Sequence, residues 1–326
     1  MKYVYFIPTH GFNDQLTTLI IAIKYCKKYN RILLIDTINS TYMINFASYF
    51  DFPYNNIICD SQNIRDILYN NEITIYPNIL NGQMVDILDN KIKFNNINHA
   101  WNYNDVVLNL PCGDINEDII IFIKNTGGIG YPLFKTIIFQ PNLKQILNDR
   151  YNTLKKPYLS IQIRNTDRRC NYKRLYEKNK DIIHSASEIH IATDDTIALE
   201  FFVNKGLPIK NFTTFPSTKE YKNLHYSNID PHTKFVDMLT DIYICGMSDK
   251  LLSSSSGGFI RLILDCNKKK IELATQFDIV IAPDKIPVDN NPDVLVKIPN
   301  IFVKLPDILD KIKDELVKIK DALDNI

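Results

Sequence analysis

Short β-branched runs alternate with longer segments of helical period along this chain, and that alternation is the pattern of parallel sheets covered by helices. Tyr3 to Ile7 predicts the first strand. A turn at Gly11 leads into an amphipathic helix over Gln15 to Tyr29, with Leu16, Leu19, Ile20, Ile23 and Cys26 on one face, and Ile32 to Ile35 predicts the second strand. From about 36 to 130, Pro, Asn and Asp interrupt short apolar runs, and periodicity alone orders no strands there. Tyr131 to Leu154 predicts mainly helix, and Lys155-Lys156-Pro157 marks a crossing into a second domain. Beyond it, strands are expected over Tyr158 to Ile163, Glu188 to Ala192, Ile209 to Thr213, Lys250 to Ser253 and Ile279 to Ala282. The expected fold class is α/β and doubly wound. Because 326 residues exceed what one hydrophobic core usually supports, the division is an N-terminal domain over 1–154, a second over 155–304 and a C-terminal helix over 305–326. In that helix Ile308, Ile312, Leu316, Ile319 and Leu323 share a face that packs back across a domain or, alternatively, pairs two chains.

Several function classes fall away. The 38 basic and 37 acidic residues nearly cancel, which argues against a nucleic-acid partner. MKYVYFIPTHGF enters a strand at once without an apolar leader, and no run of eighteen apolar residues follows. The expectation is a soluble, cytoplasmic protein with no membrane segment. Six scattered cysteines without C-x-x-C spacing read as free thiols in a reducing compartment. No His or carboxylate spacing of the zincin or EF-hand type occurs, so no metal is expected, and the absence of G-x-G-x-x-G weakens a dehydrogenase reading.

In an open parallel sheet, ligands collect where strands end and helices begin. IQIRNTD (161–167), IHIATDD (189–195) and the run from Asp237 through SDKLLSSSSGGFIR to Arg261 all fall at such places. Strand alternation puts Leu159, Ile161 and Ile163 on one face and Ser160, Gln162 and Arg164 on the other. A guanidinium at the strand exit can grip a phosphate through two parallel hydrogen bonds and stays charged while a diphosphate leaves. The alternative is a structural Arg164 paired with Asp167. Ser255, Ser256, Gly257 and Gly258 precede a helix, where backbone N–H groups and the helix dipole suit an anion; a plain turn or cap is the competing reading. Arg261 faces the ligand, bridges segments or lies on the surface. Asp237 and Asp241 are the only charged residues from Phe235 to Ser248 and sit four apart on one helix face. Such a pair needs a partner from outside the helix or exposure to water, and the paired N–H donors of guanine fit a carboxylate at Asp241. Asp194 and Asp195 cap a helix or contact a ribose. His10 stands in the loop after the first strand, where an imidazole can take a hydroxyl proton at neutral pH. TGGIG (126–130) reads as a flexible interdomain or acceptor loop.

GFNDQ followed by LTTLIIAIKYCKKYNRILLID, then IQIRNTD, the ATDD segment and DIYICGMSDKLLSSSSGGFIR together resemble, in that order, the motifs of the GDP-fucose-dependent fucosyltransferases, which include the α1,6-fucosyltransferases and protein O-fucosyltransferases. The resemblance implies a GT-B architecture, two Rossmann-like domains facing a central cleft, and inverting transfer from GDP-fucose to a hydroxyl of a glycan or protein without an essential metal. It implies that Arg164 binds the β-phosphate and Asp241 the guanine. Asp194 or Asp195 would hold the nucleoside side and Ser255 to Gly258 the diphosphate, while Gly11, Phe12 and Asn13 close the cleft. The chain departs from the family at Gln162, where a His is usual, and at His10, where one branch has a Glu that serves as base. The α1,6 branch carries an acidic residue several positions after the Arg motif. Here Arg168, Arg169, Cys170, Asn171 and Tyr172 supply none, which leaves His10 as first candidate base with Asp14 and Asp167 behind it. A different nucleotide-sugar donor, or donor binding without catalysis, are the rival readings.

Overall fold

The computed structural model describes residues 1–69, 73–97, 100–166, 169–217, 224 and 227–279. Two parallel sheets dominate it. The first has the strand order Ile57–Ile58, Ile32–Ile35, Tyr3–Phe6, Ile119–Phe122, Ile75–Tyr76, and the second the order Ile209–Lys210, Ile189–Thr193, Leu159–Ile163, Lys250–Ser253. Both lie in one compact unit of the chain.

The first strand-helix-strand unit forms as its periodicity predicts, with the helix spanning Phe12–Tyr29. It starts earlier than expected because Gly11, extended at φ −70 and ψ 155, is the N-cap, and its carbonyl accepts from Asp14 N and Gln15 N. Asn30, left-handed at φ 50, ends the helix, and Lys27 and Lys28 complement its dipole. Beside the central strand of the first sheet lies Ile119–Phe122, an interior strand within the stretch whose strands periodicity could not order. All four residues are buried, so the continuous apolar run is that of a strand covered on both faces. The same stretch holds an antiparallel meander of Asn95–Ile97, Ala100–Tyr103 and Val106–Val107.

Tyr131 to Leu154 is less helical than expected. It divides into the helices Tyr131–Phe134 and Pro141–Asn152, separated by Ile138–Phe139, which pairs antiparallel with Phe50–Asp51. Pro141 opens a fresh helix at a position where its missing N–H costs nothing. The strand from Ile209 stops at Lys210, since Asn211 donates its side-chain Nδ2 to Ile191 O at 2.7 Å in place of a backbone ladder bond. The strand expected over 279–282 and the helix over 305–326 fall outside the described residues.

In the second sheet Leu159, Ile161 and Ile163 enter the core with Ile189, Ile191, Ala198 and Phe202, as strand alternation requires. Ser160 and Gln162 face the other way, toward the helix Pro231–Met247, which Asp230 caps and Pro231 opens. Twelve of its seventeen residues are buried, so it is an internal element with no broad solvent face. Its Phe235 inserts among Phe12, Tyr42, Phe46, Tyr49 and Phe50, with ring centroids 5.0–5.7 Å from its own. Among the described residues no helix is long and apolar enough to cross a membrane.

Candidate active site

A cleft of about 370 Å³ opens where strands of both sheets end, bordered by the 10–14 loop, residues 162–166 and 192–194, and the Pro231–Met247 helix. His10, Gly11, Phe12, Asn13, Gln162, Arg164, Asp194, Asp241 and Gly258 all line it. Asp195, Ser255, Ser256 and Gly257 are not part of its wall, and Asp167 lies outside the described residues.

The serine run turns out to organise strand exits. Ser255 Oγ accepts from Arg164 N at 2.8 Å, and Ser255 N donates to Ser253 Oγ at 3.0 Å. The Ser253 hydroxyl then donates to Gln162 Oε1 at 2.9 Å, which leaves the amide NH₂ of Gln162 for the cleft. Gly257, at φ 109, makes a turn that few other residues adopt and caps the helix Gly258–Lys268. Of the four residues expected to hold a diphosphate only Gly258 borders the cleft, next to Phe259 at the helix start. Arg164 is further braced through its neighbours: Asp194 accepts from Asn165 N at 2.8 Å and from Thr166 Oγ1 at 2.6 Å. Asp195 takes the capping role, accepting from Ile197 N at 2.9 Å and from Asn165 Nδ2 at 2.6 Å.

The two helix carboxylates resolve differently. Asp237 is satisfied within the protein: Arg150 Nη1 donates to its Oδ1 at 2.8 Å and Thr214 N to its Oδ2 at 2.8 Å. Asp241 is not. Its Oδ2 accepts one long bond from Thr213 Oγ1 at 3.4 Å, while Oδ1 turns inward to within 3.3 Å of His190 Nε2 without an aligned hydrogen bond. Burial is the main influence raising its pKa, the charge of Asp237 adds to it, and His190 opposes it. A carboxyl this deep, with one weak partner and an edge on the cleft, is an acceptor waiting for donors.

On the opposite wall His10 adopts a left-handed φ of 68, held by its N–H donating to Thr41 Oγ1 at 2.9 Å and its carbonyl accepting from Gln15 Nε2 at 3.1 Å. Its ring meets Trp101 edge-on at 6.3 Å. Asn13 is buried, with Nδ2 donating to Gly128 O at 3.1 Å and Oδ1 accepting from Gly130 N at 3.0 Å. TGGIG is therefore strapped to the first helix, contrary to the expected flexible loop. A Cβ on Gly128 would stand 2.5 Å from Thr17 Cγ2 and one on Gly130 2.9 Å from Asn13 Oδ1, so a side chain at either position would displace its neighbours on the first helix. Arg261 takes the bridging role, its Nη1 donating to Gly128 O at 3.2 Å. A Cβ on Gly258 would lie 2.8 Å from Asn13 Nδ2 and 3.0 Å from Asp14 Oδ1, so the first loop meets the second helix start directly. Asp14 itself lines the cleft.

Sequence reasoning missed four participants. Lys234 lies one turn before Met238 and two before Asp241; the i, i+4, i+7 spacing would have found it had the apolar window begun one residue sooner. Its amine donates to Ser227 O at 3.2 Å, and desolvation lowers its pKa. Thr213 was placed at the end of a strand that stops short of it, and Thr214 follows directly after. His190 read only as a strand residue, and nothing local in the sequence sets it apart. Among the described residues no group of three or more His, Cys, Asp or Glu side chains converges to hold a metal ion.

The wall thus presents a cation and a helix start beside a buried acceptor, and the fold that carries it is known. The fucosyltransferase NodZ from Bradyrhizobium matches 80% of this chain and 91% of its own at TM-score 0.52 and 15% identity. NodZ α1,6-fucosyltransferase soaked with GDP-fucose matches with the same figures. POFUT1 in its apo form matches 82% of this chain and 95% of its own at TM-score 0.50 and 14% identity. No protein-family profile and no curated protein sequence matches the chain. At these identities the likeness is one of fold: the chain has the α/β, GT-B-type fold of these fucosyltransferases.

Proposed function

We infer that the protein is an inverting glycosyltransferase that takes a nucleotide diphosphate sugar, GDP-fucose in first place, and transfers the sugar to a hydroxyl of a glycan or protein. The observation that carries this reading is the convergence on one cleft wall of Arg164, the Gly258 helix start and the under-satisfied carboxyl of Asp241. Arg164 and the helix start suit a diphosphate, and Asp241 suits a base with paired N–H donors. The likeness in fold to an enzyme whose structure was determined after soaking with GDP-fucose supports the same donor.

In the proposed reaction His10 takes the acceptor's hydroxyl proton. That oxygen forms a bond to the anomeric carbon as the bond from that carbon to the diphosphate oxygen breaks, and Arg164 with the helix start holds the departing charge. Asp14, on the same loop, is the alternative base. Charge compensation by protein groups makes a metal unnecessary in this scheme. Residues 1–154 would supply the acceptor side and 155–304 the donor side of a cytoplasmic enzyme. One observation favours a second donor class: Gln162 stands on the cleft with a neutral amide where the fucosyltransferases carry a His, so a different nucleobase is the rival.

Calorimetric titration with GDP, GDP-fucose, UDP and ADP, without added metal, separates these readings. The expected result is selective binding of GDP and GDP-fucose, weakened in Arg164→Ala. That substitution should also cut turnover by roughly two to three orders of magnitude, the loss of about 3–4 kcal/mol of charge stabilisation. Tighter binding of UDP or ADP would move the donor assignment, and near-normal turnover in a folded Arg164→Ala protein would remove Arg164 from the mechanism.

A further inference from the structure

The carboxyl that would read the nucleobase is backed by a group that no part of the proposed reaction uses. His190 lies in the strand Ile189–Thr193, fully buried, directly across from Ser160 on the neighbouring strand. Its two ring nitrogens face different chemistry. Nδ1 lies 3.3 Å from Ser160 Oγ and 3.7 Å from Cys245 Sγ, both of which carry a proton to donate. Nε2 lies 3.3 Å from Asp241 Oδ1, which can only accept when ionised. If Nδ1 accepts from the hydroxyl or thiol, the imidazole proton resides on Nε2 and points at Asp241. The ring is then neutral, which avoids burying a second charge.

We propose that His190 is a positioning residue for nucleobase selection: its Nε2–H holds Oδ1 of Asp241, which orients Oδ2 toward the cleft as the acceptor for the amino group of guanine. The contact is 3.3 Å and off-line, and such bonds commonly tighten when a ligand binds. The burial of both groups accounts for the geometry. Among the described residues Asp241 has no other donor near its inner oxygen, and Thr213 on its outer oxygen is 3.4 Å away, so without His190 one long hydrogen bond would be left to fix its rotamer and support its charge. The inference rests on the assignment of Asp241 to the base.

GDP and IDP differ only by the exocyclic amino group, so the ratio of their affinities measures this contact and cancels diphosphate binding. For the wild-type chain the expected preference for GDP is roughly 10- to 100-fold, one hydrogen bond to a charged acceptor. His190→Gln places an amide N–H near the position of Nε2 and should keep most of that preference. His190→Asn reaches only the position of Nδ1 and should bring the ratio to within about threefold of unity, with IDP affinity unchanged in both. A merely structural His190, anchored on Ser160, predicts the reverse order. Retention of the preference by Asn, or its loss in Gln alone, would overturn the proposal. Absence of any GDP preference in the wild-type chain would overturn the base assignment itself, and the role of His190 with it.

Discussion

Replacing Arg150 by Met removes the charge that satisfies Asp237 while keeping most of the side-chain stem. In the native protein one guanidinium nitrogen, Nη1, donates at 2.8 Å to Asp237 Oδ1 and at 2.8 Å to Thr240 Oγ1. The Asp237 side chain is 5% exposed and that of Arg150 28%. Removing one partner of a fully buried pair costs about 3–5 kcal/mol, because the other charge is left uncompensated. Here water can follow the open side of Arg150, and Thr214 N still donates to the carboxylate, so the expected loss is about 2–3 kcal/mol. Asp237→Asn in the same background removes the orphaned charge and should recover about half of it. The effect reaches the cleft, since the charge of Asp237 already helps raise the pKa of Asp241 four residues along; uncompensated, it should weaken nucleotide binding as well. Urea unfolding of the wild type, both single variants and the double variant, followed by circular dichroism and by the fluorescence of the single tryptophan, gives the coupling energy. A cost below about 1 kcal/mol for Arg150→Met, or no recovery on adding Asp237→Asn, would refute the argument that this buried pair carries the load.

Asp241→Asn should separate stability from binding. Because burial raises the pKa of Asp241 above its ordinary 3.8, the stabilising proton is fully held below 3.8 and lost as pH rises through the higher folded value. The wild type should therefore lose stability relative to Asp241→Asn over that acid window and stay the less stable of the two at neutral pH, while nucleotide affinity falls in the variant; parallel stability–pH curves would contradict this. Gly258→Ala drives a Cβ to 2.8 Å from Asn13 Nδ2, a group already tied to Gly128, so a loss of about 1–3 kcal/mol with weakened donor binding is expected, and an unchanged thermal midpoint would argue against the close approach. His10→Ala should lower turnover by roughly 10²- to 10⁴-fold with donor affinity retained; if Asp14→Asn does so instead, the base is Asp14.

The parts of this protein that could be read directly were those whose cause is local. Alternation from Leu159 to Arg164 sorted the residues of a strand onto the correct faces, and the apolar setting of Asp241 announced a buried carboxyl. Asp195 went to the helix cap that its position before Thr196–Val203 favours. Where the cause was tertiary, the reading failed or stopped. TGGIG looked mobile because glycines have no side chains, yet their absence is what allows the segment to sit against Thr17, Leu16 and Asn13. That Asp237 needed a partner from outside its helix was legible, but not that Arg150, 87 residues away in sequence, is that partner. Of the expected phosphate seat only Gly258 borders the cleft, because the turn that carries the serines is tied to the neighbouring strand exit, Ser255 Oγ to Arg164 N and Ser253 Oγ to Gln162.

Phe235 lies in the second turn of the helix that carries Asp241, yet its ring is enclosed by Phe12, Phe46 and Phe50 from the other end of the sequence. A helix rooted in this way has no independent existence. A chain severed between the two sheets would leave each piece with a raw apolar face and few means of covering it, and heating the intact protein should abolish both sheets in a single cooperative event. Any opening of the cleft that lets a product leave must therefore pivot on this aromatic knot or proceed through movement of the surrounding loops, because separating the rings would amount to starting to unfold.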